Sequence, residues 1–127
     1  MLDIVDRNII ITRGNMLPIT VSAENLDKSD YEFQVDDKIR FKIMQKDKVE
    51  LVLLQKDFEI TEAGTEQQII IPANEMKIGE LKSKPTDYWY EIELNPDKEN
   101  TITIEGYRKE EGPAIITILP EGGDKND

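Results

Sequence analysis

The sequence predicts an all-β chain folded as an antiparallel two-layer sandwich, and three observations lead there. Apolar runs recur at the 8–12 residue spacing typical of sandwich strands. The stretch Asp87-Tyr88-Trp89-Tyr90-Glu91-Ile92-Glu93-Leu94 alternates without interruption. Tyr88, Tyr90, Ile92 and Leu94 fall on one face, and Asp87, Trp89, Glu91 and Glu93 on the other, as in a half-buried strand. Turn residues (Gly, Asn, Pro, Asp) separate the runs, and only one short segment favours helix. A chain of 127 residues fits one domain with a continuous core.

The amino-terminal residues 1–6 read as an arm, and the domain as residues 7–120. Its first strand is Asn8 to Thr12 and its second Met16 to Ala23. Between them Arg13-Gly14-Asn15 suits a type I′ or II′ hairpin turn. After the polar loop Glu24 to Asp30, the strand Lys38 to Lys46 points Ile39, Phe41 and Ile43 one way and Lys38, Arg40 and Lys42 the other. A tight Asp47-Lys48 connection leads to Val49 through Gln55, continuing toward Ile60. Ala63-Gly64 reads as a turn, and Gln67 to Ile71 as a strand that Pro72 stops. Asn74 can cap one helical turn near residues 73–78, and Gly79 opposes anything longer. The strands Asp87 to Leu94, Asn100 to Tyr107 and Ala114 to Leu119 close the domain. The acidic tail, residues 121–127, has no apolar content and is expected to be disordered. With about eight strands and almost no helix, each alternating strand must bury one face against a second sheet. An immunoglobulin-like sandwich is the leading fold, since such sandwiches exist without a disulfide, and a small closed barrel is the alternative.

Composition excludes several function classes. The formal charge is −11, from 27 acidic and 16 basic side chains. Phosphate binding needs a basic surface, so nucleic acid is not an expected partner, and an anionic membrane is disfavoured by the same repulsion. The charges are mixed along the chain, as in Lys46-Asp47-Lys48, which fits a solvated surface. Without cysteine there is no disulfide and no thiolate chemistry. Without histidine the usual base near neutral pH is missing. The amino terminus lacks the pattern of a signal peptide, and no apolar run approaches the ~20 residues that span a bilayer.

Few residues suggest a site. No nucleophile-and-base constellation is recognisable, so no catalytic residue, metal ligand or cofactor is assigned, and the chain is read as not an enzyme. Glu91 and Glu93 lie at i, i+2 on one strand face, roughly 7 Å apart. Two carboxyls of a glycosidase stand about 5–10 Å apart across a cleft, but this pair reads as the wet side of its strand. Asp27-Lys28-Ser29-Asp30 and Asp36-Asp37 could offer oxygens to calcium, yet neither matches a calcium-loop pattern. Trp89 is the exception, a large aromatic on the charged face between Asp87 and Glu91. It suits a partner contact or a sugar platform, with Tyr107 as a second candidate, or else it covers a cross-strand neighbour.

Three blocks carry a family resemblance: Arg13-Gly14-Asn15, Tyr31 through Phe41, and Lys84 through Tyr107, together with the closing Pro113 to Gly122. In these the chain resembles small phage and prophage proteins similar to the amino-terminal domain of the phage baseplate upper protein family, from tailed phages of Gram-positive hosts. The resemblance runs from about Arg7 to Gly122. It implies a β-sandwich subunit of a tail tip or baseplate. Its partners would be other tail or baseplate proteins, homo-oligomers included. Its location would be the bacterial cytoplasm during assembly and then the virion. Larger members of that family carry further segments after this domain, so a free-standing accessory subunit is the expectation. No catalytic residue is transferred. Two other functions fit the residues: a carbohydrate-binding module stacking Trp89 or Tyr107 on host glycans, and an acidic decoy of a DNA-binding host enzyme.

Overall fold

The structure, a computed structural model, describes residues 2–5, 7–25, 27–79, 84–99 and 101–121. Within them the chain forms nine strands: β1 (Leu2–Val5), β2 (Asn8–Thr12), β3 (Leu17–Val21), β4 (Lys38–Gln45), β5 (Lys48–Glu59), β6 (Gln67–Ile71), β7 (Thr86–Leu94), β8 (Ile102–Glu105) and β9 (Ala114–Leu119). The one helical element is a 3₁₀ turn, Ala73–Glu75. Seven strands make the large sheet in the order β1-β2-β9-β7-β4-β5, with β8 also pairing β7. Strands β3 and β6 pair antiparallel as the second sheet. The two sheets are separate, and both ends of the large one are open, so the molecule is a sandwich and not a barrel.

The strand order is that of an immunoglobulin sandwich. Strands β9, β7, β4 and β5 take the places of G, F, C and C′, and β3 and β6 those of B and E. Strand β2 runs parallel to β9, while β8 and β9 share one edge of β7 in tandem. The alternation along β7 is realised in full: Tyr88, Tyr90, Ile92 and Leu94 are buried among Phe41, Ile39 and Ile116. Burying Ile92 or Leu94 stabilises the fold by about 1.5–3 kcal/mol each. Phe41 and Tyr90 meet at a ring separation of 5.9 Å, at the centre, where antibody domains place a tryptophan against a disulfide. Tyr88, near the start of β7, reaches back to Gly79 in the crossover from β6. This is the position of the tyrosine corner. Gly79 has φ +69, and a Cβ there would fall on the Tyr88 hydroxyl.

Several local expectations are corrected. Arg13-Gly14-Asn15 makes a tight turn, with Asn15 N–H donating to Thr12 O at 3.1 Å. It is not a hairpin, because β2 pairs β1 and β9 while β3 pairs β6. The chain uses this turn to cross between sheets, and Gly14, at φ +82, donates to Met76 O in the opposite crossover at 3.0 Å. The helical turn is shorter than residues 73–78; Asn74 lies inside it, Pro72 holds the cap position, and no side chain caps it. The strand expected over Asn100 to Tyr107 spans only Ile102–Glu105. Gly64, expected in a turn, exchanges backbone hydrogen bonds with the fully buried Phe33 at 2.8 and 3.1 Å. Residues 2–5 of the arm form β1 along β2, which raises the strand count to nine. Of the tail, Glu121 accepts an ion pair from Arg13 Nη1 at 2.6 Å, and the disorder expected for residues 122–127 lies outside the described residues.

Candidate functional site

The large sheet turns one face to the core and the other outward, and its outward rows follow from register. Arg40 lies opposite Glu93, and Lys42 opposite Glu91. Lys42 Nζ sits between Glu91 and Glu93, 3.2 and 3.4 Å from their carboxylates. Arg40 holds Asp57 through two hydrogen bonds of 2.7 and 3.0 Å. That pairing keeps the Asp57 carboxyl below its ordinary range, against the opposing effect of burial. The two glutamates are thus bridged by an ammonium, an arrangement suited to a solvated sheet surface and not to an acid and base facing across a cleft.

The next row is apolar. Met44 pairs with Trp89, Trp89 with Ile115, and Val52 stands opposite Met44. Tyr107 leans over this row, its ring centroid 6.4 Å from that of Trp89 with the planes at 55°. Among the described residues it is the most solvent-open large apolar side chain, at 67% exposure. The two aromatics singled out from the sequence therefore form one surface. Met44 and Ile115 were missed, although Met44 breaks the basic series Lys38, Arg40, Lys42 and could have been noticed there.

Tyr107 reaches Trp89 because the loop between β8 and β9 is clipped in place. Arg108 and Gly112 exchange backbone hydrogen bonds at its base. Arg7 Nε donates to Glu105 at 3.0 Å, Nη1 donates to Gly112 O at 3.0 Å, and Nη2 donates to Gly106 O. The Tyr90 hydroxyl in turn donates to the Arg7 carbonyl. Burial, and then the Glu105 charge, push Tyr90 up to about 12, with Arg7 and Arg108 opposing. A planar guanidinium with a fork of donors suits several acceptors at once. Nothing in the sequence marks Arg7, whose partners are about a hundred positions away.

The other sequence candidates have structural partners. Asp37 is buried and accepts from the Tyr31 hydroxyl at 2.6 Å, the Gln34 amide at 2.9 Å and Asn95 Nδ2 at 3.0 Å. Burial pushes its carboxyl up, but these hydrogen bonds and the Lys98 charge outweigh it and hold it below the ordinary value. Burial first, then Asp37 as acceptor, pushes Tyr31 up to about 12. Asp27 accepts from the Ser29 amide and hydroxyl. Among the described residues no cluster of His, Cys, Asp or Glu has the arrangement of a metal site, and no helix is long and apolar enough to cross a membrane. An open groove of about 890 Å³ runs along β3, bordered by Arg7, Val21, Tyr90, Ile102 and Arg108. The aromatic pair lies outside that groove, and side chains such as Glu24, Glu105 and Arg7 give its walls both signs of charge.

Fold and surface together define a two-sheet β-sandwich whose Trp89–Tyr107 pair lies beside charged rows. No protein-family model, curated protein or solved structure matches this chain.

Proposed function

We propose that the protein is a non-enzymatic structural or accessory subunit of a phage tail or baseplate that works through protein–protein contacts. The observation that carries this reading is the Trp89–Tyr107 pair set on the Met44–Ile115 row. A half-buried tryptophan beside an open tyrosine is the kind of anchor that dominates interface energetics. The charged rows of Arg40, Lys42, Glu91 and Glu93 beside it would form the polar rim. The resemblance of the Tyr31 to Phe41 and Lys84 to Tyr107 blocks to baseplate upper proteins supplies the phage context. The test is mass spectrometry of particles purified from a lysogen carrying the gene. The expected result is wild-type chain in the tail fraction and Trp89→Ala chain left unassembled. Persistent absence of the wild-type chain from particles overturns the reading.

The same aromatic pair supports a second reading, a glycan-binding module, because an open tyrosine tilted against a half-buried tryptophan can stack on a sugar. On a glycan array this predicts a signal that Trp89→Ala removes, and a blank array with wild-type protein removes it. The decoy reading fits less well, since Arg40 and Lys42 interrupt the carboxylates of the outward face.

A further inference from the structure

Strand β5 is the longest among the described residues, 12 residues at an open edge of the large sheet. Its residues 48–53 are all exposed. Four of the six are large and apolar: Val49 at 59%, Leu51 at 49%, Val52 at 44% and Leu53 at 41%. Edge strands are ordinarily protected by charge, proline or brevity. Strand β3 has Pro18, but the run Leu51-Val52-Leu53-Leu54 has none of these. The ladder with β4 also thins here. Ile43 pairs Leu54, Met44 pairs Val52 and Gln45 pairs Lys48, so residues 49–51 and 53 have no opposite residue in β4. Backbone groups in such a segment need partners elsewhere, in water or in another strand.

We propose that β5 is a dimer edge, at which two copies of this chain pair antiparallel about a two-fold axis through Leu53 and join their large sheets into one. A two-fold interface requires a patch complementary to itself, and the charge pattern of β5 meets that requirement in one register that also overlaps Leu51 to Leu54 of both copies. With the axis at Leu53, Val52 lies opposite Leu54 of the second copy, and Glu50 lies opposite Lys56 of the second copy, twice over, where Lys56 also bridges Glu75 of its own chain at 2.9 Å. Moving the axis to Val52 sets Lys48 against Lys56 of the second copy. An axis at Leu54 faces Val52 with Lys56, and an axis at Glu50 faces glutamate with glutamate. Opposite charges across a strand pair stabilise it and like charges destabilise it. The segment Lys48 to Lys56 carries two lysines and one glutamate, so this edge lacks the excess negative charge of a chain at −11. Neither Trp89 nor Tyr107 belongs to β5, but Val52 ends the row that carries Trp89, so the dimer edge adjoins the proposed tail contact.

Sedimentation equilibrium from micromolar to millimolar concentration is the test. The wild-type chain should approach twice its 14.6 kDa mass. The exposed-site double variant Leu51→Lys/Leu53→Lys should remain folded by circular dichroism and stay monomeric. Glu50→Lys should raise the dissociation constant by about tenfold, because it sets lysine against Lys56 of the second copy. Because the chain has no cysteine, Leu53→Cys should cross-link under mild oxidation far faster than the exposed control Val35→Cys. A wild-type monomer at every concentration overturns the proposal. So does a dimer that survives Leu51→Lys/Leu53→Lys, or equal cross-linking of the two cysteine variants.

Discussion

Gly79 holds a backbone conformation that favours glycine, and the Tyr88 hydroxyl occupies the space where any side chain would begin. A left-handed φ costs an L-residue about 1–2 kcal/mol before sterics are counted. Gly79→Ala should therefore lose more than that in urea unfolding, while Tyr88→Phe/Gly79→Ala should recover part of the loss by removing the colliding oxygen. Equal stability of the single and double variants would separate the two residues. Tyr88 was recognisable as core from its place in an alternating strand. Gly79 was recognisable only as a helix breaker, because its partner comes from tertiary closure. Trp89 and Tyr107 were each noticeable as aromatics among charges, but that they touch depends on how a loop curls.

At the scale of elements, the loop between β8 and β9 owes its shape to an arginine at the start of the domain. Arg7→Ala would leave Glu105 and two carbonyls without their donor. Losing one charge-assisted hydrogen bond of this kind costs about 1.5–3 kcal/mol. The expected outcome is a lower melting temperature and, by NMR, a Tyr107 whose amide resonance shifts toward disorder. Arg7→Lys should not restore it, because one ammonium cannot reproduce the fork. An unchanged Tyr107 signal in Arg7→Ala would show that the loop holds itself. Strands β4, β7 and β9 lay open in the sequence, since period-two alternation or a dense apolar run is local information. Which strand each would pair with was not. Gly14-Asn15 has the chemistry of a hairpin turn, yet the neighbours of β2 and β3 are decided by β9 and β6, far along the chain.

Across the whole molecule, the absence of histidine has a direct thermodynamic reading. Asp37 and Asp57 titrate below their ordinary values in the folded state. Their contribution is present above the unfolded value of 3.8 and is lost as pH falls through the lower folded values. Tyr31 and Tyr90 are raised from 10.0 to about 12. Their contribution is present below 10 and is lost as pH climbs toward the folded value. With no histidine or cysteine, no side chain titrates ordinarily between about pH 5 and 9. Unfolding free energy measured against pH should be nearly level from about 5 to 9, falling on both sides. Asp37→Asn should flatten the acid limb. A step near pH 6.5 would contradict this account.

The parallel pairing of β2 with β9 also determines how the sandwich resists force. Ile9, Ile10, Ile11 and Thr12 lie beside Ile116, Thr117, Ile118 and Leu119 in the same direction. A pull on the start of β2 and the end of β9 drags these strands past each other, so their bonds must fail together. Strand β1, antiparallel to β2, can instead peel away one pair at a time. Tension between the two ends would thus spend β1 early and then meet a lock, a useful property for any subunit held between moving neighbours.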